Sequence, residues 1–169
     1  YRAQKRGGRG VTGMTTKDED FVEQLFVTDT HAHLLLFTTR GRVYGVRVYE
    51  IPEANRTSRG KAVVNLVALN PDEKVTSAIP VGSFDPAKTK DVSLVLCTRN
   101  GQIKRTALSE FDAIRKSGII AIGLDEGDIL VDAKLTGKKR GVLIGTKNGM
   151  CIGFPQDDVR LMGRGAGGV

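Results

Sequence analysis

Tryptophan is absent from this chain of 169 residues, and aromatic residues make up only 5%. That leaves too few flat side chains for a platform that stacks single-stranded bases. No apolar run approaches the roughly 20 residues of a bilayer-spanning helix. Nor does an apolar stretch follow Tyr1-Arg2-Ala3-Gln4-Lys5, as a signal peptide would require. A cytoplasmic location is expected. There are two cysteines, Cys97 and Cys151, far apart and set in apolar runs; they read as small buried hydrophobes in a reducing compartment. Long helical periodicity is also missing, and the most helical stretch, Ser109 to Lys116, covers about two turns. Motifs for chemistry are missing as well. No Gly-x-Ser-x-Gly elbow or phosphate-binding Walker loop occurs. His31 and His33 would share one face of a strand, but no third metal ligand stands out. No metal site and no catalytic residue is expected.

Glycine is abundant, with 21 residues, and Val, Leu and Ile cluster in short runs, which suggests strands joined by turns. Three segments repeat a pattern: Leu34 to Gly41, Leu94 to Gly101 and Val142 to Gly149. Each is an apolar strand, then Thr, then polar residues, then Gly. A second strand follows each: Val43 to Tyr49, Ile103 to Leu108, and Met150 to Phe154. Asn100-Gly101 and Asn148-Gly149 predict type I′ hairpin turns; Arg40-Gly41 leaves the first turn type open. Val92, Leu94, Val95, Leu96 and Cys97 load both faces, which fits a strand covered on both sides.

A second anchor recurs at Arg59-Gly60, Ser117-Gly118 and Arg164-Gly165, with Arg9-Gly10 as an earlier copy. The hairpin glycines lie 60 and then 48 residues apart. The longer interval contains Val81 to Asp91, read as a surface loop insertion. A period near fifty with about four strands per unit predicts an all-β, propeller-like array; a β-sandwich of three hairpins is the alternative. The expected divisions, within one domain, are a lead-in over 1–12 and units over about 20–80, 81–136 and 137–169, the last incomplete.

Net charge is +7, which points to a polyanionic partner. The bases recur with the repeat. Residues 1–10 hold Arg2, Lys5, Arg6 and Arg9 and no acid. Residues 40–61 hold six bases against Glu50 and Glu53. Residues 97–118 hold five against Glu110 and Asp112, and residues 138–164 hold six against Asp157 and Asp158. If the units circle an axis, these clusters form a positive stripe suited to a bent duplex. Ordinary solvated faces are the alternative for any single cluster. Acids such as Asp18 to Asp20 would suit docking to another protein.

Gln4-Lys5-Arg6-Gly7-Gly8-Arg9-Gly10 is the most specific stretch. Its glycines let backbone N–H groups approach a phosphate, and its arginines can grip phosphate oxygens. The segment resembles the Gln-Arg-Arg-Gly-Gly-Arg-Gly box of the C-terminal domain of bacterial DNA gyrase A, with Lys5 in place of an arginine. The resemblance continues through Asp20 to Leu25, Thr30-His31-Ala32-His33, Arg40 to Tyr44, Val64-Asn65-Leu66, Leu108 to Phe111 and Gly127-Asp128.

It implies a β-pinwheel whose four-stranded blades exchange strands. It also implies wrapping of duplex DNA in support of ATP-dependent negative supercoiling. Partners would be the rest of gyrase A, and gyrase B, in a heterotetramer, with ATP and magnesium bound elsewhere and no cofactor in this chain. The related domain of topoisomerase IV, with a degenerate box, and a propeller-like protein-interaction module are the alternatives. The family's cleavage tyrosine lies in another domain, and Tyr1, Tyr44 and Tyr49 do not sit in its motif. Roughly three blades, where the family usually has about six, imply a fragment or an unusually short domain. The expected DNA contacts are Gln4, Lys5, Arg6, Gly7, Gly8, Arg9 and Gly10, then Arg56, Arg59 and Lys61, then Arg105, Arg115 and Lys116, then Arg160 and Arg164.

Overall fold

The computed structural model describes Arg6, Gly7, Gly13, Met14, Thr16 and residues 20–169. Among these residues, nine strands form three antiparallel sheets. The first runs β3 (Val75–Val81), β1 (His33–Thr38), β2 (Arg42–Arg47), β6 (Ile119–Ile120). The second runs β5 (Ile103–Ala107), β4 (Ser93–Thr98), β7 (Leu130–Thr136), and the third pairs β8 (Gly141–Gly145) with β9 (Cys151–Pro155). Each sheet is thus founded on one of the three repeated hairpins. Each second strand ends in a 3-10 turn, at Val48–Glu50, Leu108–Phe111 and Gln156–Asp158. The helical stretch expected after Ser109 is no more than the second of these turns. The Val81 to Asp91 insertion is not a bare loop: it holds a short helix, Pro86–Thr89, capped by the Asp85 side chain.

The hairpin turns are not type I′. Gly41, Gly101 and Gly149 have φ of 69°, 89° and 82°, but Asn100 and Asn148 stay at negative φ. In all three, the glycine N–H donates to the Thr carbonyl three residues back: Gly41 to Thr38 at 2.9 Å, Gly101 to Thr98 at 3.1 Å and Gly149 to Thr146 at 3.0 Å. This is a type I turn closed by a left-handed glycine, the usual three-residue hairpin loop. Asparagine tolerates positive φ, but nothing requires it to adopt it when the glycine already reverses the chain.

The double loading of the first strands has a direct cause. Leu35 and Phe37 point into a core shared with Leu94, Leu96, Phe111, Ile122 and Leu130 of the second unit. Leu34 and Leu36 point the other way, against Tyr44, Val46 and Val67. β1 is therefore sandwiched, as alternation on a doubly covered strand demands. Below the first turn, the buried Glu73 carboxylate accepts from Thr38 Oγ1 at 2.5 Å, Tyr44 OH at 2.8 Å and Asn70 Nδ2 at 2.9 Å. Asp128 plays the same part below the second turn, accepting from the Asn100 and Ile129 N–H groups at 3.1 and 2.8 Å. The third sheet has no such cover. Leu143, Met150 and Ile152 are exposed. Cys151 is exposed too, against expectation, on the outer strand of a two-stranded sheet; Cys97 is half-buried.

Sheets 1 and 2 also borrow an edge from the following unit. Val43 of β2 pairs with Ile119, and Ile103 of β5 exchanges reciprocal 2.9 Å bonds with Val169. Val43 and Ile103 each lie two residues past their hairpin glycine. The pairing therefore aligns Ser117-Gly118-Ile119 with Gly167-Gly168-Val169, not with Arg164-Gly165 as the sequence spacing suggested. Matching dipeptides by type missed the register because backbone pairing, and not the arginine, defines the repeat.

Two outcomes follow for stability. A Cβ at Gly41 would lie 2.7 Å from the Ile122 carbonyl oxygen, whereas one at Gly149 meets nothing within 4 Å. Both sites are left-handed, so Gly149→Ala should cost about 1–2 kcal/mol in urea denaturation and Gly41→Ala clearly more. Equal costs would contradict the close approach. Burial opposes ionisation of Glu73, but its hydrogen bonds from Thr38, Tyr44 and Asn70 outweigh that and hold its pKa below the ordinary value. A carboxylate depressed in the folded state stabilises above its unfolded pKa, and that stability is lost as pH falls through the folded one. The stability gap between wild type and Glu73→Gln should therefore narrow as pH drops from 6 toward 3.

Candidate nucleic-acid interface

Two strand positions organise the exposed loops. Arg42 follows Gly41 on β2 and donates through Nη2 to the Ser117 and Gly118 carbonyls at 3.0 and 3.1 Å. Its guanidinium also lies 5.8 Å from the Tyr44 ring centroid. Tyr44 in turn packs under Gly118, where an added Cβ would fall 2.6 Å from the ring. Lys104 occupies the Tyr44 position of the second unit and is fully buried. Its Nζ donates to the carbonyls of Ala121 at 2.8 Å, Ala166 at 3.0 Å and Arg164. Neither Arg42 nor Lys104 stood out in the sequence. The available signal was a cation within three residues of the first two hairpin glycines, in strands otherwise facing inward.

The expected contact residues separate into three groups. Arg6 and Gly7 are exposed, and Gln4, Lys5, Gly8, Arg9 and Gly10 lie outside the described residues. Arg56, Arg59, Lys61, Arg115 and Arg160 are exposed and enter no ion pair among the described residues. The rest are engaged within the fold. Arg105 is the clear case: its side chain is only 12% exposed and Nη1 donates to Asp157 at 2.7 Å. It anchors the 3-10 turn of the third unit to β5 and presents little charge outward. Lys116 pairs with Glu50 at 2.8 Å but stays 63% exposed. Arg164 contributes backbone on two sides, its N–H to Glu110 at 3.1 Å and its carbonyl to Lys104.

The loops of successive units meet at one seam. Arg42, Gly118, Ile119 and Ile120 line an open depression together with Arg164 and Gly165. The Gly123 N–H donates to the Ala166 carbonyl at 3.0 Å across the same seam. The first Arg-Gly segment sits differently: Arg59, Gly60 and Lys61 share a depression with Met14 and Asp20 to Gln24. The seam therefore brings the loops of the second and third units together beside Arg42, while the first Arg-Gly segment faces Met14 and the start of its own unit.

His33 is held in an aromatic contact. Its ring packs edge-on to Phe84 with centroids 4.9 Å apart, and burial together with Arg47 lowers its pKa. No group of three potential metal ligands occurs among the described residues, and none of the helices among them is long and apolar enough to cross a membrane.

A family model described as the DNA gyrase C-terminal domain, beta-propeller, matches residues 1–29, 32–82, 93–136 and 142–169. The DNA gyrase A protein of Clostridium acetobutylicum is 46% identical over the whole of this chain, which covers 20% of that relative. Among solved structures, the C-terminal domain of a DNA topoisomerase IV superposes with a TM-score of 0.74 and 30% identity, over 83% of this chain and 42% of that one. A DNA gyrase A C-terminal domain gives 0.67 and 25%, over 95% and 52%. The chain spans about a fifth of the length of the curated relatives it matches.

The partition of the bases has a measurable consequence. Arg105→Met should lower the unfolding free energy measured in urea by about 1 kcal/mol or more, because it breaks a half-buried pair. Arg160→Ala should leave that free energy within about 0.5 kcal/mol of wild type. A neutral Arg105→Met would return that residue to the free surface bases.

Proposed function

The chain belongs to the DNA gyrase C-terminal domain family, and from that membership we propose that it binds duplex DNA through phosphates, without reading sequence, and bends it. The observation that carries this reading is the set of exposed bases without ion pairs on successive units, Arg56, Arg59 and Lys61, then Arg115, then Arg160. They stand on loops between sheets that are tied one to the next by exchanged segments. Arg6, with the glycine-rich segment around it, adds a further cluster. Phosphate contacts of this kind supply affinity that depends on salt and not on base identity. Smooth bending of a duplex costs several kcal/mol, so contacts must be distributed over units. Strand exchange distributes them by preventing the units from moving independently.

Within gyrase A, this chain would support ATP-driven negative supercoiling together with the rest of that protein and with gyrase B. ATP, magnesium and strand cleavage belong to those other parts. The 46% identity to a gyrase A protein over the whole chain and the near-intact box favour gyrase over topoisomerase IV, whose domain is 30% identical.

Two measurements test the proposal. Single substitutions Arg56→Ala, Arg115→Ala and Arg160→Ala should each weaken binding to unrelated duplexes equally and reduce the salt slope by about one. Ligating nicked circles with the bound chain should shift the linking number. Affinity that is flat in salt, or an unshifted linking number, would overturn the reading and favour a protein-docking module.

A further inference from the structure

Lys104 is the one cation among the described residues that is buried outright, and it makes no salt bridge. Three carbonyls from two different units converge on its Nζ. Ala121 belongs to the exchanged segment that lies on β2, whereas Arg164 and Ala166 belong to the loop that leads to Val169 on β5. The ammonium has three donors, one for each carbonyl. We infer that Lys104 is a positioning residue for wrapping: it pins the loop of the third unit to the exchanged segment of the second, and so fixes how successive DNA-contacting loops are set relative to one another.

The inference rests on the DNA-wrapping proposal but makes its own prediction in the free protein. Lys104 touches no solvent, so it cannot bind phosphate itself; its effect must pass through the loop. Arg164, whose backbone it holds, lines the seam beside Arg42 and Gly118. The charged groups facing Lys104 are Glu110, from the 3-10 turn after β5, and Arg164, from the loop. Burial dominates and pushes its pKa down to about 8, with Glu110 opposing and Arg164 reinforcing the shift. The ammonium is then about nine-tenths charged at pH 7 and about one-tenth at pH 9. A neutral amine has only two donors, so one carbonyl loses its partner above this pH. Global stability moves the other way. A lysine depressed in the folded state leaves the unfolded chain holding more protons between pH 8 and 10, so stability rises with pH in that window. Loosening confined to the loop is thereby distinguishable from unfolding.

The test uses the full chain. Without DNA, hydrogen-exchange protection of the Gly123, Ala166 and Val169 amides, corrected for intrinsic rate, should fall about tenfold between pH 7 and pH 9. Amides of β1 should not follow. Lys104→Met should show the low protection at every pH. With DNA, Lys104→Met at saturating protein should halve the linking-number shift or reduce it further, while its affinity for a short linear duplex stays within twofold of wild type. Wild-type protection of these amides in Lys104→Met overturns the inference; should that variant fail to fold, protection in the wild type that stays flat from pH 7 to pH 11 overturns it instead. So does a Met variant that loses short-duplex affinity in proportion to wrapping. A wild-type chain that binds no duplex removes the wrapping proposal but leaves the exchange result to stand or fall alone.

Discussion

An antiparallel hairpin leaves one row of backbone donors and acceptors open along its second strand, and that row must be covered. Here the cover is taken from the next unit. Ile119 and Ile120 close the edge of β2, and Val169 closes the edge of β5 at Ile103. Much of the rest follows. The exchanged segment has to cross from one sheet to the previous one, so the loops before it are held over a seam between units. Their carbonyls point inward there, and cations on the covered strand, Arg42 and Lys104, satisfy them. Where no segment lies over a second strand, at β9, the apolar side chains Met150 and Ile152 remain exposed.

The sequence was legible where local chemistry determines local shape. Apolar runs ending in Thr-x-x-Gly marked all three hairpins, and β1, β4 and β8 lie where the repeat puts them. The resemblance to the gyrase domain was legible as well, because its motifs run the length of the chain. Turn type was not, because an Asn-Gly pair is compatible with two loop geometries and only the register of the flanking strands selects one. The second anchor was misaligned for a related reason. Arg164-Gly165 looks like Ser117-Gly118 as a dipeptide, but Val169 is the residue that pairs as Ile119 does. Cys151 was misjudged since burial is a property of the neighbouring layer and not of the strand that carries the residue.

Charge was legible as a total and in its phase, but not as free charge. Arg105 and Arg160 look alike in the sequence. One neutralises Asp157 from a nearly buried position, while the other stands in solvent without an ion pair. The difference comes from the chain's return: the 3-10 turn Gln156–Asp158 folds back onto β5 and brings its acid to Arg105. The same return leaves Arg160 beyond the turn, facing out. Counting bases within each repeat therefore overstates the positive field, since Arg42, Lys104 and Arg105 are used to hold the units together.

Holding units by carbonyls has a consequence that holding them by ion pairs would not. An exposed pair such as Arg40 with Asp72 weakens with salt, as the proposed phosphate contacts would. A buried ammonium enclosed by Ala121, Arg164 and Ala166 is shielded from solvent ions, so the spacing of the loops should persist at salt concentrations that strip DNA from the surface. If the chain wraps DNA as proposed, affinity and curvature respond to different variables: the first to ionic strength through the exposed bases, the second to the carbonyl contacts of one lysine. A wrapping surface needs that separation, because a scaffold that softened as its ligand weakened could bind a duplex without imposing a bend on it.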